Sequence, residues 1–121
     1  MSYAELHCLS NFTFLRGASH PEELVARAHE LDYAALAITD ECSLAGTVRA
    51  HNEAKKRKLP LIIGSEFKLD DGLRLVLLAT DRASYGNLSA LITHGRCNSA
   101  KGTYRLTRAD LADGVANCLA L

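Results

Sequence analysis

The sequence predicts an α/β fold in which mostly parallel strands alternate with helices. Three short apolar runs, residues 3–8, 35–41 and 61–66, have the length and composition of buried strands, and amphipathic segments separate them. A β-α-β-α-β order with right-handed crossovers builds a parallel sheet that is open or curls towards a barrel. With 121 residues, 48% of them hydrophobic, the chain can bury one core, so residues 1–121 are assigned to one domain or part of one.

The first helix is predicted from its start signal and its apolar stripe. Residues 19–22 read as a capping box with proline in the first turn. Residues spaced for one helical face follow: Leu24, Val25, Ala28 and Leu31. The loop before this helix, residues 10–17, carries Phe12, Phe14 and Leu15, and we expect it to fold back over the end of the sheet.

A second helix is predicted from about residue 43 to the cations of residues 55–58, where a proline follows. Leu44, Ala45 and Val48 are expected to face inward. The cations are assigned to a solvated helix end in preference to a phosphate-backbone contact.

A hairpin and a third helix follow the third strand. The Asp71-Gly72 step predicts that residues 73–79 return beside residues 61–69. Asp81 caps a helix that ends near Gly95. Its apolar face is formed by Tyr85, Leu88, Leu91 and Ile92.

The end of the chain is predicted to hold an exposed loop at residues 96–103, a short helix at 108–113 and a strand at 117–121. Thr107 and Asp110 have the spacing that starts the helix. Because the strand-like run stops without a turn or cap, we expect the chain to be part of something longer.

Charge and cysteine usage narrow the function classes. The 14 Lys and Arg residues balance the 14 Asp and Glu residues, so the overall charge gives no reason to expect nucleic acid or an anionic membrane as a direct partner. The four cysteines form no C-x-x-C pair, and no leader pattern or membrane-length apolar stretch is present. These features predict a cytoplasmic chain with reduced thiols and no membrane association.

Polar residues end each of the three apolar runs. If the strands lie side by side and parallel, His7, Asp40, Glu41 and Glu66 meet at the carboxyl rim of the sheet. Such a layout is typical of a metal or phosphoester site, or of the remains of one. Cys8 is adjacent to His7, and neighbouring strand residues point to opposite faces, so the two are not expected to share an ion.

These polar residues also have structural explanations that the sequence leaves open. His7 at a strand end is more often a hydrogen-bonded core histidine than a ligand. Asp40 and Glu66 can equally cap helices or pair with arginine.

Four ordered motifs carry a family resemblance. They are residues 5–17 (ELHCLSNFTFLRG), 38–41 (ITDE), 62–67 (IIGSEF) and 85–88 (YGNL). Together they resemble the amino-terminal PHP (polymerase and histidinol phosphatase) domain of bacterial DNA polymerase III alpha subunits, and most of all its error-prone, damage-inducible class. The resemblance implies the N-terminal part of a distorted (β/α)7 barrel.

The resemblance also implies where a metal cluster would be held, and several of those positions are altered here. His7 matches the first histidine of the family and Glu66 its bridging glutamate. Leu9, Arg16 and Glu41 stand where relatives carry a second histidine, a loop acid and a third histidine. Leucine has no lone pair, and a permanently charged arginine repels a divalent cation at close range. We therefore expect no bound metal, no catalytic residue and a vestigial site.

Charge balance then predicts a role for Arg16. Carboxylates that converge at the rim need a counter-charge, which metal ions supply in metal-binding relatives. We predict that the Arg16 guanidinium takes the vacated position and pairs with Glu41 or Glu66.

Two functions from different classes compete. By resemblance, the first is a metal-free structural and docking domain within an error-prone, translesion DNA polymerase, whose Mg²⁺ would be bound by other domains. The second is a metal-dependent phosphoesterase, either a 3′-5′ exonuclease or a pyrophosphatase, that uses Mn²⁺ or Zn²⁺ to activate water. Leu9, Arg16 and Glu41 favour the first, although Glu41 is able to coordinate metal.

The resemblance implies partners that no motif in the chain identifies. These are the remaining domains of the polymerase, a sliding clamp, a Y-family-like accessory protein and the DNA that the polymerase binds. The isolated chain is also expected to self-associate, because an uncovered strand at the edge of a sheet invites pairing.

Overall fold

A computed structural model describes residues 2–121, and its side chains except those of residues 113 and 114. Strands and helices alternate as the sequence predicts, and the α/β class is confirmed. The elements in order are β1 (Ala4–Glu5), α1 (Pro21–Glu30), β2 (Ala35–Ile38), α2 (Thr47–Arg57), β3 (Leu61–Lys68), β4 (Arg74–Ala79), α3 (Arg82–Cys97), α4 (Arg108–Gly114) and β5 (Cys118–Ala120). None of the described helices is long and apolar enough to cross a membrane.

The strands form one sheet in the order β1-β2-β3-β4-β5. β1, β2 and β3 are parallel, with Leu36 opposite Leu61 and Ile38 opposite Ile63. β4 returns antiparallel to β3 through the predicted hairpin, where Gly72 has a φ of 91° that favours glycine. β5 then pairs antiparallel with β4. The carboxyl ends of β1 and β2 therefore open at the same edge of the sheet, beside the second half of β3.

Helices α1 and α2 cover the parallel half of the sheet. α1 begins at Pro21, with its capping box one residue later than the predicted residues 19–22, since the Glu23 carboxylate accepts a hydrogen bond from the His20 N–H at 2.8 Å. The core beneath the two helices consists of Val25, Ala28, Leu36, Ile38, Ala50, Ala54 and Leu59. Small residues on α2 allow the two helices to pack closely over β2.

Helices α3 and α4 cover the antiparallel half. A second cluster of buried side chains lies there: Cys42, Phe67, Leu69, Leu77, Leu88, Leu91 and Leu106. Asp81 caps α3 as predicted, since its carboxylate accepts from the Ser84 N–H at 2.7 Å. Thr107 caps α4 in the same way. α3 continues to Cys97, two residues beyond the expected end, so Arg96 is helical and not in the predicted loop.

The predicted start of α2 is wrong by four residues. Residues 43–46 form a turn in which the Ser43 N–H donates to the Ser65 hydroxyl at 3.2 Å and the Ala45 N–H donates to the Ser43 hydroxyl at 3.1 Å. The helix therefore begins at Thr47, and its inner face shifts. Ala45 and Val48, expected to face inward, are exposed instead.

Two other predictions about apolar side chains also fail. The loop of residues 10–17 does not bury its aromatic residues, since Phe14 and Leu15 are 84% and 92% exposed and Phe12 is 40% exposed. Leu31, assigned to the inner stripe of α1, lies at the helix end and is also exposed.

The first strand is shorter than the predicted residues 3–8, because its pairing with β2 stops at Glu5.

Candidate functional site

Two glutamates meet where β2 ends beside β3. The backbone continues the pairing past Ile38, since the Glu66 N–H donates to the Asp40 carbonyl at 3.1 Å and the Cys42 N–H donates to the Glu66 carbonyl at 2.8 Å. These bonds form an isolated parallel bridge between Glu41 and Glu66. The two side chains therefore lie next to each other at the rim.

The Arg16 guanidinium lies between these carboxylates. Its Nη1 is 2.9 Å from Glu41 Oε2 and 2.5 Å from Glu66 Oε2, and its Nη2 is 3.4 Å from Glu66 Oε1. Glu66 is nearly fully buried, Glu41 is a quarter exposed and Arg16 is 40% exposed. The structure thus contains the pairing of Arg16 with both candidate partners, as the charge argument predicts.

Two further nitrogen-bearing side chains approach Glu66. His7 Nε2 is 3.1 Å from Glu66 Oε1, and Arg74 Nη1 is 3.9 Å from Glu66 Oε2. Burial alone would raise the pKa of Glu66. The hydrogen bond and charge of Arg16, together with His7 and Arg74, outweigh it, so the pKa of Glu66 lies below its ordinary value. Glu66 is therefore held as a carboxylate. Below, Arg16, Glu41, Glu66 and His7 are called the ion cluster.

Tyr104 completes the surroundings of Glu41 from a distant part of the chain. Its hydroxyl donates to Glu41 Oε1 at 2.7 Å and accepts from the Lys68 N–H at 2.8 Å. Burial first, and then the bond to Glu41, raise the pKa of Tyr104, so the hydroxyl keeps its proton. Arg96 lies over the ring at 5.3 Å. Sequence reasoning missed Tyr104, because no motif connects a tyrosine to a glutamate 63 residues away.

Asp40 does not take the position that the sequence suggested for it. Its carboxylate is buried and accepts hydrogen bonds at 2.7 Å from the Ser10 N–H, the Ser10 hydroxyl and the Thr13 hydroxyl. The Thr13 hydroxyl also accepts from the Glu41 N–H at 3.0 Å. Asp40 is thus the centre of the loop of residues 10–17, which presents Arg16 to the glutamates, and is not one of the carboxylates facing Arg16.

The residues around His7 do not add metal ligands. Leu9 is half-buried and has no donor atom. Cys8 packs against the first core cluster, and burial raises the pKa of its thiol to about 11. Its backbone is bound to the end of β2, where the Thr39 N–H donates to the Cys8 carbonyl at 2.7 Å. Cys8 is therefore a neutral core thiol.

Sequence comparison identifies the family to which this arrangement belongs. The sequence model of the PHP domain family matches residues 5–120. The chain belongs to the PHP domain family. The match includes the strand ends and the loop that form the ion cluster.

Relatives and a solved structure support the assignment of this PHP domain. It is 68% identical over 121 residues to an error-prone DNA polymerase of Aromatoleum aromaticum, covering 98% of this chain and 11% of the relative. A second error-prone DNA polymerase, from Methylococcus capsulatus, is 63% identical, with 98% and 12% covered. The chain therefore spans only about an eighth or less of the length of these relatives.

The fold also resembles that of an amidohydrolase from Chromobacterium violaceum whose structure was solved with sulfate and without metal. The TM-score is 0.65 at 28% identity, and the similarity covers 80% of this chain and 34% of the other. This similarity supports the mixed α/β fold class that the sequence predicts.

The side chains of this PHP domain do not fit a divalent metal ion. His7, Glu41 and Glu66 are of the ligand types that bind such ions, but the Arg16 guanidinium already lies between the two glutamates at hydrogen-bonding distance. A divalent cation at the same place would be repelled by Arg16 and would compete with it for the same oxygens. The arrangement instead forms a set of hydrogen bonds, from one guanidinium to two carboxylates, that joins the loop, β2 and β3.

Proposed function

We propose that this PHP domain is part of an error-prone DNA polymerase and has a structural and docking role there, without hydrolysing phosphoesters itself. The position of Arg16 between Glu41 and Glu66 is the observation that carries the proposal. An arginine cannot leave the site as a metal ion can, and it cannot activate a water molecule by lowering the pKa of that water. The high identity to error-prone DNA polymerases over nearly the whole chain supports the choice of parent enzyme.

In this proposal the nucleotidyl transfer is performed by other parts of a C-family polymerase. Mg²⁺ is bound there, and the enzyme copies damaged template in the cytoplasm as part of DNA repair. The partners proposed for the parent enzyme are its own remaining domains, a sliding clamp, a Y-family-like accessory protein and DNA. The PHP domain contributes a stably folded unit, in which an internal ion pair stabilises the site in place of a metal cluster.

The alternative, a metal-dependent phosphoesterase, is less well supported. It requires at least two side chains of the ion cluster to release Arg16 and to bind a metal cation in its place. Glu66 has a lowered pKa, to which Arg16 contributes, and its carboxylate is already hydrogen-bonded to Arg16 at 2.5 Å. Leu9 removes a further donor from the rim.

Metal content and hydrolysis test the proposal together. The chain is purified without chelator, its metal content is measured, and phosphatase and exonuclease activities are assayed with added Mn²⁺. We expect metal far below one equivalent and no hydrolysis above that of a Glu66→Ala variant. Stoichiometric metal, with an activity that Glu66→Ala abolishes, would overturn the proposed role. The polymerase assignment has a separate test, which is whether the reading frame encodes the rest of a polymerase in the same chain.

A further inference from the structure

A groove beside the ion cluster carries aromatic and cationic side chains that the proposed function leaves unused. Its volume is about 420 Å³. One wall comes from the loop of residues 10–17 and the other from the end of α3 and the segment that follows it. The side chains that matter are Phe12, Phe14, Arg96, Tyr104 and Glu41.

The loop holds its aromatic residues outward on a well-fixed backbone. Buried Asp40 binds two residues of the loop, and the Gly17 N–H donates to the Thr13 carbonyl at 3.0 Å. A Cβ at Gly17 would lie 1.9 Å from the Ser10 carbonyl oxygen, so the turn needs glycine there. Phe14, 84% exposed, is therefore presented to solvent by a turn with buried anchors. Large apolar side chains displayed in this way are typical of binding surfaces.

One cation, Arg96, and one carboxylate, Glu41, line the groove. The Arg96 guanidinium donates to the Cys42 carbonyl at 3.0 Å and to the Thr103 carbonyl at 3.3 Å, and these neutral acceptors leave its positive charge uncompensated. Lys101, next to the groove residue Gly102, is exposed. The Glu41 carboxylate shares the Arg16 guanidinium with Glu66, at 2.9 Å and 2.5 Å.

The aromatic rings differ in what already covers them. Arg49, which pairs with Glu22, lies over Phe12 at 5.8 Å, and Arg96 lies over Tyr104 at 5.3 Å. Within the described residues, Phe14 has no aromatic or cationic partner on either face of its ring. A flat ring with both faces open beside uncompensated cations is the combination that binds unpaired bases and their phosphates.

We propose that this groove binds single-stranded DNA, with one base stacked on Phe14 and the neighbouring phosphates held by Arg96 and Lys101. Stacking requires a base whose face is free, so a duplex is a poor ligand. The chain as a whole has no net charge, so its composition does not indicate a site that depends on a few cations in one place. The residues proposed to hold the DNA, Phe14, Arg96 and Lys101, are outside the ion cluster, so the binding is tested separately from the proposed function.

Fluorescence anisotropy of a short fluorescein-labelled oligothymidine at low salt tests the proposal on the purified chain. We expect saturable binding that weakens as salt is added. Phe14→Ala should weaken it about tenfold, because a stacked base is lost, whereas Phe14→Trp should retain it. An oligonucleotide carrying a fluorescent adenine analogue should be quenched on binding by the unaltered chain and not by Phe14→Ala.

Leu15→Ala is the matched control, because Leu15 is 92% exposed in the same loop but has no ring. We expect its affinity for oligothymidine to equal that of the unaltered chain. Absence of binding at low salt would overturn the proposal. So would equal weakening by Phe14→Ala and Leu15→Ala, which would indicate a general apolar contact such as a protein partner makes. A duplex bound as tightly as the single strand would also overturn it, since phosphate contacts alone would then suffice.

Discussion

At the scale of single residues, the chemistry of the rim is decided by how the burial of Glu66 is compensated. Removal of a carboxylate from water is costly unless hydrogen bonds and opposite charge replace the lost solvation. Arg16 supplies both, and His7 adds a further bond at 3.1 Å. Glu41 is shared between Arg16 and Tyr104, so its two oxygens join the loop of residues 10–17 to the segment after α3.

Tyr104→Phe tests this sharing directly. The change removes the donor to Glu41 and the acceptor of the Lys68 N–H without altering the ring under Arg96. We expect the free energy of unfolding to fall by about 1–2 kcal/mol, measured by urea denaturation. Tyr85→Phe is the control, because the Tyr85 hydroxyl makes no hydrogen bond among the described residues, and it should leave the unfolding free energy unchanged. Equal effects of the two substitutions would show that the Tyr104 bonds add nothing.

Sequence reasoning reached Arg16 but misplaced Asp40, and the difference has a physical cause. Arg16 follows from charge balance among residues near strand ends, which the sequence displays. Asp40 and Glu41 are adjacent on an extended backbone, so their side chains point to opposite sides and cannot both face Arg16. Tyr104 could not be predicted, because its contact with Glu41 depends on tertiary packing of a distant segment.

At the scale of elements, the loop of residues 10–17 has the most demanding backbone geometry near the site. Gly17 approaches the Ser10 carbonyl so closely that no side chain fits, whereas Gly86 in α3 has nothing within 4 Å of an added Cβ. The two glycines therefore give opposite predictions for the same substitution.

Gly17→Ala should destabilise the chain by more than 1 kcal/mol, because the turn must open and strain its bonds to Asp40. Gly86→Ala should stabilise it by about 0.5–1 kcal/mol, because alanine loses less backbone entropy in a helix. Thermal unfolding followed by circular dichroism measures both. A neutral Gly17→Ala would mean that the turn is not a fixed support for Arg16 and Phe14.

Element boundaries were predictable where local chemistry sets them and unreliable where tertiary contacts do. The caps of α3 and α4 and the glycine of the β3–β4 hairpin are local and occur as predicted, and the cap of α1 lies one residue later than predicted. The start of α2 depends on a bond from Ser43 to Ser65, 22 residues later, so sequence periodicity alone extended that helix too far. The exposed Phe14 and Leu15 could not be predicted either, because apolar residues near a rim are normally buried.

At the scale of the whole molecule, the sheet has two strands with a single neighbour each in the described structure, β1 and β5. Leu119 on β5 is 60% exposed. Unpaired edges of this kind favour association between chains. We expect sedimentation velocity to show a dimer or larger species that increases with concentration, and Leu119→Lys to shift the distribution towards monomer. A monodisperse monomer over a wide concentration range would contradict this expectation.

The account as a whole rests on Arg16 compensating the charge of buried Glu66, and this predicts a specific pH dependence of stability. The folded-state pKa of Glu66 is lowered from its ordinary value of 4.5, so the stability that this carboxylate contributes is fully present above that value. That stability is lost as the pH falls through the folded value. Without Arg16, burial would instead raise the pKa of Glu66 and make its charged form unfavourable at neutral pH. Acid should then relieve the defect by protonating Glu66.

The most direct measurement compares the unfolding free energy of the unaltered chain and of Arg16→Ala by urea denaturation, at neutral pH and at about pH 4. Arg27→Ala is the control, because Arg27 is exposed and pairs with the exposed Glu30, so its loss should cost at most about 0.5 kcal/mol at either pH. We predict that Arg16→Ala costs about 2 kcal/mol at neutral pH, less than a fully buried pair because Arg16 is 40% exposed, and clearly less in acid. A variant as stable as the parent at neutral pH, or a loss that does not change with pH, would contradict the account.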